Sequence, residues 1–399
     1  MLMKIKDLIT RNIVLHKSYN SIYLIYFFFF VSSGPLQNIL SFFYFNYFSG
    51  MEWGIFLSIN NFVSVFIPTL TVSLCLNKDI FKVASFGVII SSLGGVLIGL
   101  FGSNNLVLLY LGSLFLFSGR IVFNNSYGNY INYKISNLNL GSFLAMRDIY
   151  LYGGISLGSL ICGMFIKYFG YNVMFLLISF GFIFVLIMLN RNEKGNSVNT
   201  VNSGNSSINV KEKFKYLFNN KIILVISFIY FTGAFYSSSY NFVGKIGLDL
   251  GVSASTLISF SGIIVLINAF LSLIISSSIN PKKRKYFFVF DIFFDAFPAF
   301  IFAISKNPNL FMFAYFLSLI KDVLSPISFA YIISCFSDQE GMLALGLLGS
   351  ISSLMNIIFP SLIGFLWDKY FTQILIISAI LCILTSILSF FAMPNTSEA

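Results

Sequence analysis

The sequence predicts an all-α integral membrane protein with twelve transmembrane helices in two pseudo-symmetric six-helix bundles. Three observations carry this. The chain of 399 residues is 57% hydrophobic and only 10% charged, with fifty Phe, where a soluble domain carries about 25% charged residues. Its apolar runs reach about 20 residues without alternation, the length of a helix crossing a bilayer rather than of a barrel strand. In lipid only helices or closed barrels satisfy the backbone internally. The third observation is an internal repeat, described below.

The net charge of +10 does not point to nucleic acid. The basic residues fall in short loops on one side, as membrane insertion requires. Cys75, Cys162, Cys335 and Cys382 form no CxxC pair and lie in or at the end of apolar runs, so they read as packing residues. His16, the only histidine, precedes the first span. No catalytic triad, zinc motif or phosphate-cradling loop is present. The chain therefore reads as a non-enzyme without cofactor or metal.

The N-terminus carries Lys4, Lys6, Arg11 and Lys17 before a long apolar run, Ser21 to Tyr47. That run is too long for the core of a signal peptide and is the first span, with the N-terminus inside. Ser33, Gln37, Ser41 and Tyr44 give it one polar face. The second span is about Trp53 to Leu76, and the turn NKDIFK leads to the third, near Val83 to Gly102.

The fourth span, Leu109 to Asn132, carries Arg120 near its middle, with Asn124 and Tyr127 following at helical spacing. An arginine there costs at least about 2.5 kcal/mol unless it meets water or an acid. After a short inner loop, Tyr133 to Leu140, the fifth span runs from about Gly141 to Phe165 with Arg147 and Asp148 inside it. Adjacent helix positions point about 100° apart, so these two do not share a face. The sixth span is about Tyr171 to Leu189.

The stretch from Arg191 to Val210 is rich in Asn, Ser and Gly and reads as a flexible linker. A basic, mildly amphipathic stretch follows to Lys221. The domains expected are thus residues 1–190, the linker 191–221 and residues 222–399. Further spans fall near Ile222–Val243, Ala254–Ser278, Tyr286–Ala303, Asn309–Ser334, Leu343–Leu366 and Phe371–Met393. Asp291 and Asp295, four apart in the ninth span, share a face. They read as partners of the Lys282–Lys285 run or as a carboxylate pair holding one proton.

The halves align at offsets of 201 to 203. Ser73–Lys82 matches Ser276–Lys285, Gly163 matches Gly364, Asn38 matches Asn241, and Arg120 matches Asp322. Two parallel six-helix halves joined by a long inner loop resemble the major facilitator superfamily. That family has a loop motif G-x-x-x-D-R-x-G-R-R/K between its second and third helices. The corresponding stretch here keeps small Ser73 and the basic Lys78 and Lys82, with Asp79 displaced by two from the family's acid. A fifth-helix motif of the family's proton-coupled exporters, G-x-x-x-G-P-x-x-G-G, is matched by Gly154, Gly158 and Gly163. Ser159 replaces its proline and Cys162 a glycine. Small-xxx-small spacing serves plain helix packing as well.

The resemblance implies a site near the midplane lined by the first, fourth, seventh and tenth helices, and alternating access by rocking of the halves. Arg120 and Asp322 would then stand at similar depth on opposite walls, either as a substrate and proton site or as a static ion pair. Gln37, Asn38, Asn124, Tyr127, Tyr240 and Asn241 would supply neutral polar groups, each also open to reading as an interhelical hydrogen bond. Arg147, Asp148 and Lys321 remain open between structural and functional roles. The expected function is a secondary active transporter, a proton-coupled exporter of a small organic molecule. The partners expected are that substrate, a proton or other coupling ion, and membrane lipid. Nucleic acid is not among them, and the chain is expected to be monomeric in the cell membrane. An uptake symporter for a sugar or metabolite shares the fold, and a non-transporting receptor or assembly factor is the reading from another class.

Both termini and the linker are expected in the cytoplasm. An impermeant thiol reagent added to intact cells should therefore leave Ser203→Cys unlabelled. Strong labelling from outside would reverse the orientation.

Overall fold

A computed structural model describes residues 20–77, 79–135, 140–193, 221–278, 281–336 and 338–395. Every regular element among the described residues is helical. Ten of these helical stretches are long and apolar enough to cross a membrane.

The first stretch consists of α1 (Asn20–Ser33) and α2 (Leu36–Tyr47), separated at Gly34–Pro35. Proline has no N–H and crowds the carbonyl four residues back, which here is Val31. Helix α3 spans Gly50–Asn77. Asp79 caps α4 (Ile80–Leu97) by accepting the Phe81 N–H at 2.8 Å, so the acid of the NKDIFK turn has a local structural role. A π-helical turn, Ile98–Gly102, closes that span. Asn105 Oδ1 accepts the N–H groups of Val107 and Leu108 at 3.0 and 3.1 Å, starting α5 (Leu106–Ile135). Helix α6 runs Leu140–Glu193, interrupted at Gly170 with φ 77°. That is the left-handed region, which glycine enters without steric cost. Residues 136–139 of the expected inner loop and 194–220 of the expected linker lie outside the described residues.

The remaining helices are α7 (Lys221–Tyr240), α8 (Val243–Asp249), α9 (Ala254–Ser278), α10 (Arg284–Phe294), α11 (Ala296–Ile304), α12 (Pro308–Ile320), α13 (Ser325–Ser334) and α14 (Asp338–Ala392). Helix α14 is interrupted at Tyr370. The interruptions in α6 and α14 each follow the matched glycine of their half, Gly163 and Gly364. Besides the first span, two more that read as continuous from sequence are broken. A 3-10 turn, Lys321–Leu324, separates α12 from α13. Pro326 crowds the Asp322 carbonyl, which instead accepts the Ser325 N–H in the tighter pattern. Asp295 stands alone between α10 and α11, three residues before Pro298.

Chain contacts divide the protein into two compact units. One comprises Met1–Leu40, Val63–Asn202 and Ser255–Ala269; the other comprises Ser41–Phe62, Ser203–Ala254 and Phe270–Ala399. These units do not follow the two sequence halves, and glycines explain why. In the first unit, a Cβ on Gly163 would fall 2.0 Å from Ser259 Oγ, and one on Gly262 would fall 2.7 Å from Ser159 Cβ. Helices α6 and α9 therefore lie nearly backbone to backbone. In the second unit, a Cβ on Gly54 would fall 2.4 Å from the Pro360 carbonyl oxygen and 3.1 Å from Gly364 Cα, locking the start of α3 to α14.

Small polar pairs join some helices, and large apolar side chains fill the interior and also lie exposed. Thr385 donates to Thr232 and Ser378 to Ser239, both at 3.1 Å, between α14 and α7. Phe62, Leu70, Phe180, Phe365 and Phe391 are exposed. In water such a surface would aggregate; among lipid tails it is solvated, and close packing with interhelical hydrogen bonds replaces the hydrophobic effect.

A side chain at Gly158 would place its Cβ 2.2 Å from the Val31 carbonyl oxygen, whereas nothing lies within 4 Å of a Cβ at Gly128. Gly158→Leu should lower thermal stability in detergent by about 1–3 kcal/mol, and Gly128→Leu should leave it nearly unchanged. Equal melting temperatures would contradict the close approach of α6 to α1.

Candidate functional site

In the first unit, Arg120 is half-buried on α5. Its guanidinium carbon lies 5.8 Å from the centre of the Phe30 ring on α1. No carboxylate pairs with it among the described residues. A cation over an aromatic face gains about 0.5–2 kcal/mol, less than the cost of a charge in a membrane span. The guanidinium thus keeps unspent hydrogen-bonding capacity. One turn further on, Asn124 buries an amide oxygen that has no hydrogen-bond partner among the described residues.

Tyr127, expected either to continue this stripe or to make an interhelical hydrogen bond, makes the hydrogen bond. It is fully buried, stacked on Phe123 at 5.1 Å and facing Tyr26 at 6.5 Å. Its hydroxyl donates to the Ile22 carbonyl at 3.4 Å. Tyrosine offers an apolar body as well as a polar tip, and here the body decides its place. On α2, Gln37 is exposed and Asn38 is half-buried, donating to Ser261 Oγ of α9 at 3.4 Å. Arg147 is half-buried, and the Asp148 side chain lies outside the described residues.

Gly154 and Gly158, the fifth-span motif, face α1: a Cβ on Gly154 would come 2.6 Å from the Phe27 carbonyl oxygen. Gly163 faces α9, as described above. The three glycines lie at close helix contacts.

In the second unit, Asp322 sits in the 3-10 turn with an exposed side chain. Among the described residues no hydrogen bond or ion pair holds that side chain. Its neighbour Lys321 does have a partner: Nζ lies 2.5 Å from Asp295 Oδ1, with the two side chains 19% and 17% exposed. The same ammonium stands 5.0 Å over the ring of Tyr236 on α7. Asp291 accepts from Ser328 Oγ at 2.6 Å. The expected pairing of Asp291 and Asp295 with the Lys282–Lys285 run is therefore corrected: their partners come from the 3-10 turn and α13. The tighter turn carries Lys321 toward α10 and α11 while leaving Asp322 outward. Sequence reasoning missed this pair, although Pro298 and Pro326 mark both breaks.

Tyr240 accepts a hydrogen bond from Ser318 Oγ at 3.0 Å, so its phenol faces α12. Asn241 lies in the break between α7 and α8, where its backbone carbonyl accepts from Trp53 Nε1 at 3.1 Å. The same unit holds a polar seam between α3 and α14. Asn61 Nδ2 donates at 2.6 Å to the Asn356 carbonyl, which Pro360 deprives of its helical donor. Ser361 Oγ donates to Ser58 Oγ at 2.7 Å. Beyond this seam Lys245 pairs with Asp368, lining a cleft of about 250 Å³.

No family model matches the sequence, and no curated protein matches it. Solved structures do. The nucleoside transporter NupG superposes with a TM-score of 0.76 at 14% identity, over 94% of this chain and 99% of that one. A POT family transporter in complex with 5-aminolevulinic acid gives 0.71 at 12% identity, over 96% and 97%. A bacterial homologue of the human lysosomal transporter Spinster, inward-facing and unoccupied, gives 0.68 at 14% identity, over 94% and 97%.

Removing one member of a buried ion pair leaves the other charge uncompensated, at about 3–5 kcal/mol. Lys321→Met alone should therefore lower the unfolding midpoint strongly, and adding Asp295→Asn should recover most of the loss. A double variant as unstable as the single one would show that the pair does not hold α12 to α10 and α11.

Proposed function

We propose that this chain, whose fold is that of the major facilitator superfamily transporters, is a secondary active transporter crossing the membrane twelve times as two six-helix halves. Ten helical stretches qualify as spans, and two of them, of 43 and 45 residues, are long enough to cross twice. Their interruptions at Gly170 and Tyr370 supply the turns.

The observation that carries the reading is the state of the two charges that correspond in the repeat. Among the described residues Arg120, half-buried in a span, has no carboxylate partner, and Asp322 is exposed at a helix break. A structural ion pair would use its charges up. Charges left open within spans serve a substrate or a coupling ion. On this reading Arg120 and Asn124 bind an anionic or polar group of the substrate, and Asp322 binds a cationic group or receives a proton. In this reading the seam of Gly50, Gly54, Ser58 and Asn61 against α14 is a gate. With the N-terminus in the cytoplasm it lies outside, and alternating access requires it to part. Proton-driven export is the direction we favour, on the glycines of the fifth span.

The reading is tested in proteoliposomes with an imposed pH gradient and a panel of radiolabelled metabolites and organic cations. If Asp322 holds the cationic group, Asp322→Asn should abolish both net transport and substrate exchange; if it receives the proton, net transport driven by the gradient should be lost and exchange kept. Exchange needs alternating access but no net movement of protons. Full gradient-driven activity in Asp322→Asn, on correctly inserted protein, would remove Asp322 from the coupling path.

A further inference from the structure

The second unit places three carboxylates around one ammonium. Asp291 and Asp295 come from one face of the ninth span, and Lys321 and Asp322 from the 3-10 turn. Ionised together they leave two uncompensated negative charges in a membrane span, which hydrocarbon and buried protein disfavour. Asp291 has the Ser328 hydroxyl at 2.6 Å, Asp295 has Lys321, and Asp322 is exposed. A second feature points into the cluster. Tyr236 is 7% exposed, its ring lies under the Lys321 ammonium, and its buried hydroxyl faces Asp295. A phenol in that position can donate to an ionised Asp295 or accept from a protonated one. No group of three or more His, Cys, Asp or Glu able to hold a metal occurs among the described residues. The remaining neighbours that face Asp295 are Tyr240 on α7 and Cys382 on α14.

Lys321 is therefore paired with the enclosed Asp295 and lies next in the chain to the exposed Asp322. We propose that Asp295 takes up a proton from water, that Lys321 is the ammonium it holds when ionised and yields to Asp322 when protonated, and that a cationic substrate competes with this ammonium for Asp322. One proton is added to an Asp295 carboxylate oxygen, and Lys321 keeps its own. Proton and organic cation then exclude each other without sharing a carboxylate, which is the logic of antiport. This rests on the transporter reading and names its substrate class as a monovalent organic cation.

The full chain is reconstituted in liposomes and titrated from mildly alkaline to mildly acidic pH. The carboxylic C=O band is followed by difference infrared spectroscopy. The wild type should gain a band that is lost in Asp295→Asn, kept in Asp291→Asn and Asp322→Asn, and displaced in frequency in Asp295→Glu. The last variant keeps the test open should Asp295→Asn fail to fold. A band surviving in Asp295→Asn, or one that depends on sodium when choline replaces it, overturns the assignment and leaves the transporter reading standing. Absence of any band in the wild type overturns both the assignment and proton coupling.

Binding of tetraphenylphosphonium to the same samples tests the transfer of Lys321. It should be strong at alkaline pH, be lost in Asp295→Asn, which mimics the protonated acid, and return in Asp295→Asn with Lys321→Met. Unchanged binding in Asp295→Asn, or no binding by the wild type, contradicts the competition.

Discussion

Hydrocarbon offers no hydrogen bond to a backbone, so every peptide group in a span must find its partner within the protein. Most of this chain meets that constraint with uninterrupted helix. The informative places are where proline prevents it. Pro360 strips the Asn356 carbonyl of its donor, and Asn61 of another helix supplies one at 2.6 Å. Pro326 does the same to Asp322, whose carbonyl turns to Ser325. Pro35 leaves the Val31 carbonyl facing Gly158, where a side chain would collide with it. Each repair fixes a helix contact. Together they position the α3–α14 seam, the α1–α6 contact and the charged turn of the tenth span.

The charges follow from these breaks. In a continuous α-helix Lys321 and Asp322 would point about 100° apart. The 3-10 turn instead leaves Lys321 on Asp295, itself at a break, while Asp322 is exposed. The enclosed pair fixes the ninth span to the tenth, and the exposed acid remains open for chemistry. Arg120 in the other unit has an aromatic ring for a neighbour and, among the described residues, no paired acid. Lys321 and Asp295 are paired while Asp322 is exposed, a division that residue type alone does not disclose.

Much of this was legible in the sequence. Length and spacing of apolar runs located the helices, because hydrophobic thickness dictates span length. The cost of Arg120 and Asp322 in lipid singled them out, and the spacing of Gly154, Gly158 and Gly163 marked close helix contacts. The partners of Asp291 and Asp295 were not legible. Sequence proximity favoured the neighbouring lysine run, while the actual partners come from helices distant in the chain. Which of the two readings of Tyr127 applies was not legible, because helical spacing from Arg120 does not reveal which face the neighbouring aromatic rings will cover. The compact units cut across the sequence halves because glycines at 54, 163, 262 and 364 pair helices of different halves, and composition carries no record of such pairings.

The central claim is that the α3–α14 seam is one state of a moving part rather than a permanent junction. Spin labels at Met51→Cys and Lys369→Cys, with the four native cysteines replaced by serine, report the separation across that seam by pulsed electron resonance. A transporter predicts a short and a long distance in liposomes, with proportions that change with pH. A single short distance under every condition would contradict it.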